Sequence, residues 1–155
     1  MGRSAVSADA GVLEADAPQS AFYLLDDQIG FLLRKANQRH VAIFASRIGD
    51  LTPPQFAALA RLHEVGPTSQ NQLGTLIAMD AATIKGVIDR LGARGLVEQT
   101  RHKDDRRRLV VSLTPAGRET IGNLLQVAGA ISAETLAPLS EREAATLLRL
   151  LARIA

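Results

Sequence analysis

Apolar residues recur every three or four positions between residues 21 and 48, beginning a pattern that runs through most of the chain. That period is typical of an amphipathic helix, so we expect a long first helix there. The segment TPPQ at 52–55 then combines a capping threonine, an early proline and a glutamine at capping-box spacing. It predicts a second helix that ends at Val65, before Gly66.

Two shorter helices with a tight turn between them are predicted next. The first begins at Ser69, with Gln72 at capping-box spacing, and lasts about ten residues. Asp80 is placed to cap the second, and Gly95 follows its end. Two short helices joined by so short a turn are typical of a helix-turn-helix.

Branched residues dominate two runs, 96–100 and 109–113, which flank the charged sequence RHKDDRRR. They predict a β-hairpin with a basic tip. Two closing helices follow, one opened by Thr114 and Pro115 and one capped by Ser140. The predicted order is α-α-α-α-β-β-α-α, and the predicted fold class is mostly α with a small β-hairpin wing.

The composition shows that the positive charge is concentrated in one short segment. The 155 residues are 46% hydrophobic, which suits one globular functional unit. The formal net charge is +2, whereas residues 101–108 alone carry five cations against two carboxylates, a net +3. A local basic patch indicates a site that docks a polyanion, although a charged loop taken alone is more often a solvated surface.

Several classes of protein are excluded or disfavoured. Without cysteine the chain has neither disulfides nor thiolate metal sites. Residues 1–18 lack a signal-peptide core and read as a disordered leader, and no run is apolar enough for a membrane helix, so we expect a cytoplasmic protein. The three histidines lack metal-ligand spacing, and no nucleophile elbow, phosphate loop or dinucleotide fingerprint occurs. We expect neither an enzyme nor a cofactor.

The fourth predicted helix suits DNA recognition. With its apolar stripe turned inward, small and polar residues face outward, where they can approach base edges in a major groove. A helix-turn-helix followed by a basic hairpin is a winged helix, predicted here over residues 51–114. An ordinary amphipathic surface helix is the alternative. The candidate DNA-binding residues are Ser69, Gln70, Ala82, Thr83, Lys85, Gly86, Asp89, Arg90, Arg101, Lys103, Asp105, Arg106, Arg107 and Arg108.

Residues 80–120 resemble the signature region of the MarR family of regulators. The phrase RLGARGLVEQTRHKDDRRRLVVSLTPAGRE contains the helix end, the glycine turn, an Asp-x-Arg wing and a strand exit at Leu-Thr. The resemblance implies that Arg107 enters a minor groove and that Asp105 positions it. An Arg–carboxylate hydrogen bond would pre-order that side chain.

The resemblance also implies a homodimer. In the family the first and last helices of two chains interleave, which places two recognition helices on a palindromic operator. We therefore expect residues 19–50 and 115–155 to form a helical dimerisation region. The C-terminal run LLRLLARIA is apolar to its end, unlike a terminus that frays. It could instead pack inside its own chain.

A small-molecule effector is the last expectation. His40 lies on the largely apolar line Leu33–Ala36–His40–Phe44, where a satisfied core histidine is the plainer interpretation. The family resemblance implies a pocket for phenolic or acyl effectors between the first two helices. Nearby cations favour an aromatic acid or its coenzyme A thioester, whereas a constitutive or a drug-responsive efflux repressor are alternatives. The candidate ligand-binding residues are Arg34, Arg39, His40, Phe44, Phe56 and His63.

Overall fold

The fold is known from a computed structural model that describes residues 23–101, 105 and 109–155. The predicted leader, residues 1–18, lies outside the described residues. Within these described residues, six helices and three short strands follow one 3-10 turn at Leu25–Asp27. They are α1 (Ile29–Arg47), α2 (Pro53–Val65), β1 (Thr68–Ser69), α3 (Gln70–Leu76), α4 (Ala81–Ala93), β2 (Val97–Arg101), β3 (Leu109–Leu113), α5 (Pro115–Leu136) and α6 (Glu141–Leu151).

Side-chain caps set the helix starts where the sequence predicts them. Thr52 forms a reciprocal capping box with Gln55, and Ser140 forms one with Glu143. Ser69 also accepts a hydrogen bond from the Gln72 backbone N–H, but the return bond of a capping box is absent from that helix. Each such cap satisfies an N–H group that the first helical turn leaves unpaired.

Two helices are shorter than predicted. The first was expected from residue 21, but Gln28 is extended, with ψ 128°, and separates the 3-10 turn from α1. The third was expected to last ten residues and has seven. Ala78 ends it, because its φ of 54° lies in the left-handed region that a continuing helix cannot contain.

The sheet contains a strand that the sequence pattern did not reveal. Its order is β1-β3-β2, with Thr68 opposite Val111 and Val97 opposite Leu113, all antiparallel. β1 has only two residues, too few to show an alternating pattern. The predicted hairpin is therefore extended to three strands, and β1 ties the start of α3 to the wing.

The core joins the helix-turn-helix to the long helices. Its fully enclosed side chains include Leu59 of α2, Leu73 of α3, Ile88 of α4 and Ile121 of α5. Gly117 lets α5 approach the sheet, since a Cβ at this position would overlap the backbone carbonyl oxygen of Leu96. The first turn of α5 is thereby held against the strand that follows α4.

The C-terminal helix contributes little to this core, whereas α1 contributes Ile43 and Phe44. No residue of α6 is buried, and Leu148 and Ile154 are 54% and 69% exposed. Most of the C-terminal run is therefore exposed in the single chain, and Leu151 alone of its residues is half-buried. Leu32 and Leu33 of α1 are also exposed. No helix among the described residues has the length and apolarity needed to cross a membrane.

Candidate nucleic-acid interface and ligand cavity

The outward face of α4 is built by a strict division of its side chains. Ile84, Val87, Ile88 and Leu91 are buried, as the sequence pattern predicts. Ala82, Thr83, Lys85, Asp89 and Arg90 are exposed, and Gly86 is half-buried beside the Arg90 side chain. The opposite face of α4 thus presents small residues at its centre and polar residues at its flanks.

Asp80 orders the first turn of that helix. Its Oδ1 accepts the backbone N–H of Thr83 at 2.8 Å, and its Oδ2 accepts the Thr83 hydroxyl at 2.8 Å. These two bonds, the backbone one above all, hold the pKa of Asp80 below its ordinary value of 3.8. The carboxylate is therefore ionised at neutral pH, although it is exposed to solvent.

Lys85 and Asp89 form an ion pair one turn apart on the outward face, with Nζ 2.5 Å from Oδ2. Both side chains are at least half exposed, so the pair contributes little to stability. It places a cation and a carboxylate side by side on the exposed face of α4.

Of the wing, the structure describes β2, β3 and, in the loop between them, Asp105. Arg101 at the end of β2 and Asp105 are both exposed. Lys103, Arg106, Arg107 and Arg108 lie outside the described residues, so the predicted minor-groove role of Arg107 stays a prediction. Ser69 and Gln70 lie at the start of α3, both half-buried. Through β1 they are adjacent to the wing, not isolated at a helix end.

A cavity of about 340 Å³ lies where α1, α2 and α5 meet. Phe44 and Phe56 form its aromatic wall, in edge-to-face contact with ring centroids 5.7 Å apart. His40 also lines it, as the sequence predicts. The remaining lining residues are Pro53, Ala57, Ala128, Ile131 and Ser132.

His40 is fixed by a relay to α5. Its Nδ1 lies 3.1 Å from the hydroxyl oxygen of Thr135, whose own hydrogen is donated to the Ile131 carbonyl at 2.8 Å. Thr135 must then accept from His40, so Nδ1 carries the hydrogen. The other ring nitrogen, Nε2, has no hydrogen bond within the described part of the chain. One ring nitrogen of His40 is thus satisfied, as in a core histidine, and the residue also lines a cavity.

The cations predicted near the ligand do not line this cavity. Arg39 donates from Nε and Nη2 to the backbone carbonyls of Thr135 and Glu134, which caps the C-terminal end of α5. Arg34 lies over the ring of Phe31, 5.7 Å from its centroid. Both guanidinium groups thus interact with other groups of this chain: two backbone carbonyls and an aromatic ring.

His63 is likewise outside the cavity. It is exposed in the last turn of α2, seven residues beyond Phe56, which is about 10 Å along the helix axis.

The third wall of the cavity, formed by α5, was not predicted. The sequence analysis expected a cavity between the first two helices only. Ala128 and Ser132 of α5 are one turn apart, and this small pair leaves the space that a larger pair would fill. That spacing was the available signal.

Comparison with known proteins gives consistent results. The sequence profile of the MarR family matches residues 51–109. The transcriptional repressor NicR of Pseudomonas putida is 40% identical over 134 residues, covering 85% of this chain and 85% of NicR.

Solved structures with the same fold include the following two. A probable transcriptional regulator from Pseudomonas aeruginosa is 59% identical and superposes with a TM-score of 0.82, covering 85% of this chain and all of that one. BpsR of Bordetella bronchiseptica, whose DNA binding is regulated by 6-hydroxynicotinic acid, is 38% identical with a TM-score of 0.81, covering 85% of this chain and 96% of BpsR.

Proposed function

This chain belongs to the MarR family of DNA-binding transcriptional regulators, and on that premise we propose that it is a homodimeric repressor released from a palindromic operator by a small aromatic acid. The alternatives are a constitutive repressor and one that responds to drugs or controls efflux. The proposal has three parts: which surface reads DNA, how two chains associate, and what occupies the cavity.

For DNA reading, α4 enters the major groove and the wing reaches over the adjacent backbone. The exposed small residues of α4 allow close approach, and Lys85 and Arg90 supply charge to phosphates or guanine. β1 pairs with β3, so the start of α3 lies beside the base of the wing.

For assembly, the exposed apolar face of α6 pairs with a second copy of this chain. Leu147, Leu148 and Leu150 are each more than a third exposed in the single chain. The exposed leucines of α1 add further apolar area, and burial of such area would stabilise a dimer by about 25 cal/mol for each Å² removed from water. Two α4 helices would then face one DNA duplex.

For the effector, the cavity suits a single aromatic ring with few polar anchors. The two phenylalanines would contact the ring, and Ser132 and His40 Nε2 would bind its polar substituents. Nε2 accepts a hydrogen bond in the neutral ring and donates one in the protonated ring, so it suits a hydroxyl or a carboxylate. Because the predicted cations lie elsewhere, a free acid fits better than a coenzyme A thioester.

The relay from His40 to Thr135 is the observation that carries this proposal. It leaves Nε2 of a cavity-lining histidine without a hydrogen bond among the described residues, and it joins α1 to α5, two of the cavity's walls. BpsR, which responds to 6-hydroxynicotinic acid, supports the choice of ligand class. A ligand that moves α1 against α5 would alter the spacing of the two α4 helices. A tenfold loss of DNA affinity needs about 1.4 kcal/mol of such coupling.

The test is fluorescence anisotropy with duplexes from the chain's own promoter region. We expect affinity to fall steeply as salt rises, since each phosphate contact adds roughly 0.9 to the logarithmic slope. 6-Hydroxynicotinic acid and 4-hydroxybenzoic acid should release the duplex, and benzoyl-coenzyme A should not. Release by efflux substrates alone would favour the drug-responsive alternative, and absence of any release would favour a constitutive repressor.

A further inference from the structure

The first turn of α4 contains a hydroxyl whose hydrogen is already committed. Asp80 accepts both the backbone N–H and the hydroxyl of Thr83, each at 2.8 Å. An ionised carboxylate has no hydrogen to give, so Thr83 is the donor of the side-chain bond. A hydrogen bond to a charged acceptor is also roughly twice as strong as one between neutral groups.

What Thr83 presents to its surroundings is therefore an acceptor. The side chain is exposed on the flank of the outward face of α4, and its Oγ1 keeps a lone pair for a further partner. The position matters because the N-terminal residues of a recognition helix are those that contact base edges.

We propose that Thr83 selects an exocyclic amino group in the major groove, on adenine or cytosine, and that Asp80 is the positioning residue that imposes this choice. The inference rests on the proposed function, in which α4 enters the groove. Adenine N6 and cytosine N4 are the hydrogen-bond donors at major-groove base edges, whereas guanine O6 and thymine O4 are acceptors. A lone pair facing either of those oxygens gains no hydrogen bond.

A phosphate contact is the competing role for Thr83, and the same geometry opposes it. Phosphate oxygens need a donor, and the Thr83 hydroxyl hydrogen is engaged by Asp80. The negative charge of Asp80 next to that hydroxyl further disfavours an approaching phosphate. A base amino group satisfies Thr83 without breaking the existing bond.

Asp80→Asn tests the inference because it preserves the helix cap and changes the hydrogen available to DNA. The Asn carbonyl can still accept the Thr83 N–H, and Asn caps helices about as well as Asp. Its amide then donates to the Thr83 hydroxyl, which frees the hydroxyl hydrogen. Thr83→Val removes the hydroxyl at nearly constant shape, and Thr83→Ser restores it.

The readout is sequence preference, measured by selecting bound duplexes from a random pool of DNA. One base pair in each half-site should favour adenine or cytosine about tenfold in the wild type, the effect of a typical mismatch. Thr83→Ser should keep that preference, and Thr83→Val and Asp80→Asn should reduce it to about threefold or less. Asp80→Asn also removes a negative charge and should tighten binding to every duplex, so absolute affinity is not the criterion. Thermal melting checks that each variant is folded.

An unchanged preference in folded Asp80→Asn and Thr83→Val overturns the inference. Lys85→Ala separates that result from failure of the proposed function, because its side chain is exposed on the same helix and is bonded to Asp89, not to Asp80 or Thr83, among the described residues. If Lys85→Ala weakens binding while the Thr83 preference is absent, α4 reads DNA by other residues. If all α4 variants bind as the wild type does, α4 is not the recognition helix and both proposals fail.

Discussion

His40 Nδ1 and the hydroxyl oxygen of Thr135 lie 3.1 Å apart, on two helices that are 95 residues distant in sequence. The bond joins α1 to the last turn of α5, where Arg39 and Arg47 also bind: Arg39 to two backbone carbonyls, and Arg47 to the carboxylate of Glu134. One wall of the cavity is therefore tied to another by polar groups directly beside it. A molecule that displaces His40 should therefore also disturb the contacts at the end of α5.

The relay itself is testable by Thr135→Val, with Thr135→Ser as the matched control. Valine removes the acceptor for His40 Nδ1, so the ring loses its fixed tautomer and orientation. We expect affinity for 6-hydroxynicotinic acid, measured by calorimetry, to fall about fivefold or more, and serine to restore it. DNA affinity without ligand should stay unchanged. Equal ligand affinity in the valine variant would remove the relay from the binding site.

Alanine substitutions at Gly117 and Gly122, both in α5, should change the free energy of unfolding in opposite directions. A Cβ at 117 would overlap the Leu96 carbonyl oxygen, whereas one at 122 has nothing within 4 Å. Gly117→Ala should lower the free energy of unfolding by about 2 kcal/mol or more, since the rigid backbone must shift. Gly122→Ala should raise it by about 0.5–1 kcal/mol through helix propensity. Urea denaturation measures both, and similar effects of the two substitutions would contradict the close approach of α5 to the sheet.

The buried hydroxyl of Thr68 predicts a stabilising substitution. Its Oγ1 has no hydrogen-bond partner among the described residues, although the side chain is buried in β1. Thr68→Val should raise the free energy of unfolding by about 1 kcal/mol by removing an unsatisfied group. Thr114→Val is the contrast, because that hydroxyl accepts from Gly117 N–H and donates to the Gly95 carbonyl. It should cost about 1–2 kcal/mol. Destabilisation by Thr68→Val would show that the hydroxyl has a partner.

The proposed dimer makes a prediction on α6. Leu148→Glu places a charge on the exposed apolar face, so light scattering should show a monomer at concentrations where the wild type is a dimer. Arg149→Glu changes charge by two on the neighbouring, polar side of the helix and should leave the dimer intact. A dimeric Leu148→Glu variant would locate the interface elsewhere.

Local signals were enough to predict most elements of this fold. The caps at Thr52 and Ser140 and the buried stripe of α4 depend on residues a few positions apart, which a sequence shows directly. The strand β1 was not predicted, because its two residues are extended through pairing with Val110 and Val111, over 40 positions away. Such pairing leaves no periodicity to detect.

Part of the candidate site could likewise be predicted from the sequence, and part could not. His40, Phe44 and Phe56 were recognisable as polar or aromatic residues near a helix junction. The α5 wall was not, because it depends on how a helix some 90 residues later packs against α1. The role of Arg39 at the end of α5 was not predictable for the same reason, since its partners are backbone carbonyls, which every residue has.

The most direct measurement of the central claim is ligand-induced release of DNA from a chain whose cavity has been filled. Ala128→Leu occupies space lined by Phe44 and Phe56, and Ala130→Leu adds the same atoms on an exposed position of α5. Both variants should bind the selected duplex as the wild type does. We expect 6-hydroxynicotinic acid to release the duplex from the wild type and Ala130→Leu but not from Ala128→Leu. Equal release from all three would show that the effector acts outside this cavity.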